Sequence, residues 1–176
     1  MLKSAAADTE ANAPKTELAQ LHLRMAQMHA ARSRPDSAAR ELKAAETTVA
    51  ADAPSPERDK MRVRLLLSQG FVVGKQDKLA EAADTVIEAF RLWETIPDRN
   101  IELRQSGYHL RELADALIAR GEVVRGIEIL RWNVRRTEWI GDAAATNENN
   151  RDLAARCAQI PEAIRAEEKL AKLCAN

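Results

Sequence analysis

His22 and His29 bracket the segment "HLRMAQMH", and a spacing of seven puts two side chains on one helix face. Two imidazoles on one face are the start of a metal site or an acid–base pair. Such a site also needs Cys, Asp or Glu at ligand spacing, and none surrounds them. The plainer reading is a pair of packed or half-exposed helix histidines. The third histidine, His109, stands alone. Gly-rich phosphate loops, nucleophile elbows and Cys-x-x-Cys pairs are absent. Glu167 and Glu168 read as a charged surface pair rather than an acid–base dyad. The sequence therefore offers no catalytic residue, no cofactor-binding set and no metal ligands, and the chain reads as no enzyme.

A second concentration of chemistry is "RGEVVRGIEILRWNVRRTEW". Arg120, Arg125, Arg131, Arg135 and Arg136 alternate there with Trp132 and Trp139. Arginine beside aromatic rings can stack on bases or grip carboxylates. Glu122, Glu128 and Glu138 lie among them, which favours a salt-bridged, solvated face. The chain has 27 basic and 27 acidic residues, a balance that argues against a nucleic-acid binder. The two thiols, Cys157 and Cys174, are the last candidates. If the chain turns at Ile160-Pro161 and continues as a straight helix, Cys174 lies about 20 Å beyond the turn. The expectation is two reduced thiols in a cytoplasmic protein.

The elements that position these residues are helical. Apolar residues make up 45% of the chain, but aromatics only 3%, and alanine is abundant. That balance suits helices that approach closely and offers little for a sheet. No apolar run is long enough for a membrane span. Residues 1–14 read as a flexible leader without the apolar core of a signal peptide.

"LADALIARGEVVRGIEIL" (113–130) reads as helix, tight turn and helix. Stepping back by 44 residues from Gly121 reaches Asp77, and again Ser33; both lie in short turns between apolar-periodic stretches. Small residues recur in register: Ala26, Gly70 and Ala114; then Ala38, Ala82 and Gly126. Larger residues follow at Leu42, Val86 and Leu130. Three hairpins are expected, at about 15–50, 56–95 and 99–140, with capping helices over 149–176. Gly74 is expected to end the first helix of the second hairpin, with Asp77 capping the next. "DAAATNENN" is expected to be a polar loop.

Within each unit the small positions are separated by twelve and then seven residues, as at Ala26, Ala38 and Ala45. This order resembles the tetratricopeptide repeat (TPR) over roughly Leu18 to Ile140. The period is 44 rather than the usual 34. Gln69 and Asn133 stand where the family prefers apolar and small residues. The resemblance implies an all-α, right-handed stack of antiparallel hairpins, a TPR-like α-solenoid with C-terminal capping helices. It also implies a concave face lined by the first helix of each unit. On that face would lie Gln20, Leu23 and Gln27; Arg64, Leu67, Phe71 and Lys75; and Tyr108, Arg111 and Asp115. The family's clamp for chaperone C-termini is missing, since Leu23, Gln27 and Glu112 occupy its places.

The function expected is a non-catalytic scaffold that binds a protein or peptide segment, an acidic one being favoured by the cations. It would work without nucleic acid or membrane, with homo-oligomerisation open. The alternative is a ligand- or peptide-sensing module of a bacterial regulator, fused to or controlling an output domain. The sequence leaves open whether the groove or the Arg-Trp face binds.

Overall fold

Ser33, Asp77 and Gly121 have left-handed backbones, with φ of 54°, 66° and 84°. They are the same three residues that the 44-residue step picks out. At each, the next N–H donates back to the carbonyl five residues earlier: Arg34 to His29 at 2.9 Å, Lys78 to Val73 at 3.4 Å, Glu122 to Leu117 at 2.9 Å. This bonding satisfies the last carbonyls of the helix and reverses the chain within about three residues.

The computed structural model describes residues 15–97, 106–165 and 167–175, with side chains of 106–108 excepted. The proposed leader lies outside these residues, as does most of the segment joining the second and third hairpins. Nine helices are described: α1 Lys15–Ala31, α2 Pro35–Ala50, α3 Pro56–Lys75, α4 Leu79–Glu94, α5 Ser106–Ala119, α6 Val123–Trp139, α7 Ala143–Gln159, α8 Glu162–Arg165 and α9 Glu168–Cys174. No strand occurs among the described residues. Local chemistry sets the boundaries. Ser55 caps α3 by accepting from the Arg58 N–H, and Pro56 fills the first turn, where its missing N–H costs nothing.

Helices pair as α1 with α2, α3 with α4, and α5 with α6. Successive pairs then meet through α1 and α3 and through α4 and α6. The small residues sit at the crossings: Ala26, Ala38, Ala82 and Ala114 are each 0% exposed. One apolar core joins α1 and α2 to Met61, Leu65 and Val72 of α3. A larger one runs from Val63 of α3 to Leu170 of α9. The helix α3 thus belongs to both, which makes the stack continuous.

Three expectations are corrected. "DAAATNENN" is not a loop but the start of α7: Gly141 (φ 70°) repeats the tight turn, and Asp142 accepts from the Ala145 N–H as N-cap. A good cap and three alanines outweigh the poor helix propensity of the asparagines. Gly74 does not end α3, which runs on to Lys75; the left-handed residue is Asp77, and its carboxylate is engaged by Arg120 at 2.6 Å rather than capping α4. Finally, Cys157 and Cys174 are not free thiols but a disulfide with Cα atoms 5.8 Å apart. The straight helix assumed beyond Pro161 is broken: α8 ends at Arg165 and Glu167 is extended (ψ 131°), so α9 returns beside α7. Together α7 and α8–α9 form a fourth, shortened hairpin against α6.

Candidate functional site

The first helices of the hairpins, α1, α3 and α5, wall a groove of about 720 Å³. Its apolar floor includes Leu23, Leu67, Phe71, Leu110 and Leu113. Polar residues at its sides include Gln20, Arg24, Gln27, Arg64, Lys75 and Glu112. Gln27 donates to the buried Ser68 hydroxyl at 2.9 Å, which ties α1 to α3 across the groove. Phe71 meets the His109 ring at 4.5 Å, and the Lys75 ammonium stands 5.4 Å from the centre of the Phe71 ring. The groove therefore carries an aromatic platform with a cation above it.

Seven residues picked from the sequence, Gln20, Leu23, Gln27, Arg64, Leu67, Phe71 and Lys75, come together in this one groove. Arg111 and Asp115 do not join them. Tyr108 has a side chain outside the described residues. Arg111 reaches instead to α7, donating to Glu148 at 3.0 Å and to the Asn149 amide oxygen at 2.7 Å. Asp115 pairs with Arg156 of α7 at 3.0 Å. The sequence reading missed Arg24, Ser68, His109 and Leu113. The available signal was the width of an amphipathic stripe, since residues beside and one turn from the chosen ones share their face.

Arg111 is one end of a largely buried polar network. Asn149 (4% exposed) accepts from Asn133 (1%) at 3.0 Å and donates to Thr137 at 3.3 Å. Arg136 donates to the Asn133 oxygen at 3.1 Å. Burial holds the Arg136 guanidinium below its usual value. Asn133, the departure from the repeat pattern, thus has a structural reason: it seats α7 on α6, and each amide is satisfied.

The Arg-Trp face is likewise occupied by its own contacts. Arg125 binds Asp84 and Glu122, and Arg135 binds Glu94 at 2.7 Å. Arg131 donates to the carbonyls of Leu173 and Ala175, holding the end of α9. Trp132 stacks on Phe90 with centroids 5.4 Å apart, and Trp93 meets Trp139 edge-on at 4.8 Å. These rings are core, and the arginines join neighbouring units.

No family model, curated protein or solved structure matches the chain. The functional reading therefore rests on the groove's own geometry. Among the described residues, no cluster of metal-ligating side chains is assembled, and no helix is long and apolar enough to cross a membrane.

Proposed function

We propose that the chain is a non-catalytic binding scaffold, a TPR-like right-handed stack whose concave groove holds a peptide segment of another protein. The observation that carries this reading is the convergence of apolar floor and polar walls from three successive hairpins on one groove. A concave, mostly apolar surface with a few placed polar groups is the usual form of a recognition site. Most arginines on the opposite face are spent on internal ion pairs, which leaves the groove as the less committed surface.

The second reading, a sensing module that controls an output domain, is favoured by one feature: the groove's size is also that of a small-molecule pocket. The Cys157–Cys174 bridge supports an oxidising compartment in place of the cytoplasm inferred from free thiols.

Leu67→Asp puts a charge on the groove floor without touching a turn or a crossing. It is expected to lower recovery of the bound protein on immobilised chain at least tenfold, with helicity by circular dichroism unchanged. Full recovery by the folded variant would reject the groove. If the wild-type chain instead retains a small molecule and no protein, the sensing reading takes its place.

A further inference from the structure

Four arginines of the second to fourth hairpins are neutralised in a regular way. Arg91 meets Glu128, Arg120 meets Asp77, Arg135 meets Glu94 and Arg156 meets Asp115, each pair linking adjacent hairpins. The groove breaks this rule. Arg24 of α1 and Arg64 of α3 line it, and neither has an ion pair or side-chain hydrogen bond among the described residues. Lys75 lies over the Phe71 ring and has no carboxylate partner among the described residues. Among the described residues the only carboxylate lining the groove is Glu112, which stands 3.8 Å from His109. Among the described residues three cations thus face one acid, in a chain whose net charge is zero.

From this we infer that the occupant is an acidic peptide segment, with Asp or Glu side chains on Arg24 and Arg64 and an apolar side chain between them on Leu67 and Phe71. The inference rests on the groove reading above and specifies its ligand. Cations in a concave site with apolar walls are less screened than on an open surface, and they concentrate an oppositely charged partner there. Guanidinium groups match carboxylates in shape as well as charge, through paired N–H donors. The apolar floor supplies the rest, so a segment that is acidic but lacks an apolar residue fits only half of the site. Nucleic acid fits less well, because the chain as a whole carries no basic surplus.

The test is selection from a random displayed library of 12-residue peptides on the full chain, in parallel with Arg24→Glu/Arg64→Glu. Circular dichroism and thermal melting check that both chains fold, and Arg24→Gln/Arg64→Gln replaces the reversal if that chain does not. The expected result is enrichment of peptides with an Asp/Glu excess beside a large apolar residue. The reversed chain should lose these peptides at least tenfold and favour basic ones; the neutralised chain should lose them without favouring basic ones. Recovery of the same acidic peptides by the substituted chain would overturn the proposal. Enrichment of peptides without an acidic excess, lost on Leu67→Asp, would overturn the acidic ligand yet keep the groove. No enrichment above the bare support would remove both.

Discussion

Gly126→Val will lower stability by about 2–3 kcal/mol, the upper part of the range for overpacking a tight interface. A Cβ at Gly126 would stand 2.6 Å from Ile118 Cγ1 and 2.9 Å from the Ala114 carbonyl oxygen. The first neighbour is a side chain that can give; the second is the backbone of α5, so α5 and α6 must move apart. For a chain of this length the melting temperature should fall by roughly 5–10 °C. Gly74→Ala is the matched control. Its Cβ would meet only the Ala82 Cβ, at 3.6 Å, an ordinary contact. Because alanine is the better helix former, this substitution should raise stability by about 0.5–1 kcal/mol. Two glycines in helices of adjacent hairpins should thus respond with opposite sign. Equal responses in chemical denaturation would show that the α5–α6 crossing is not as close as described.

Removal of the disulfide by Cys157→Ser with Cys174→Ser will destabilise the chain by about 3 kcal/mol, the chain-entropy cost of opening a loop of this size. The loss should be local first. The contacts that hold α9 besides the bridge are the buried Leu170, the Lys169–Glu128 ion pair at 2.8 Å and the grip of Arg131 on the terminal carbonyls. Helices this short are not stable alone. Amide exchange in α8 and α9 should therefore accelerate strongly, while α1 to α4 keep their protection. Uniform acceleration along the whole chain would show that the fourth hairpin is no separable unit.

The repeat was legible because its signal is steric. A close crossing admits only small side chains, so Ala26, Gly70 and Ala114 return in register, and the turns at Ser33, Asp77 and Gly121 fall where the step places them. The fourth hairpin was legible only in part, as C-terminal helices turning at Ile160-Pro161, for two separate reasons. The run Thr146–Asn150 reads as loop by propensity, whereas one cap at Asp142 and the satisfied amides of Asn149 and Asn133 make it helix. The return of α9 depends on a break near Glu167 that carries no proline or glycine to announce it. These misreadings explain the site errors. With the first half of α7 taken for a loop, Glu148 and Asn149 were not expected beside α5, and Arg111 looked free to face a ligand; Arg156, which holds Asp115, lay in a helix expected only to cap the stack. On α1 and α3, where the neighbouring helices were read correctly, the predicted residues do converge on the groove.

The proposed partner lies in the groove of α1, α3 and α5 and not on the outer face of α6. A photoreactive benzoyl-phenylalanine in place of Phe71, and separately in place of the exposed Glu138 of α6, tests it most directly. After irradiation in extract of the native host, the protein carrying the probe at position 71 should give a discrete covalent adduct. The protein with the probe at position 138 should give none. An adduct from position 138 with none from position 71 would contradict the account and move the binding face to the outer surface.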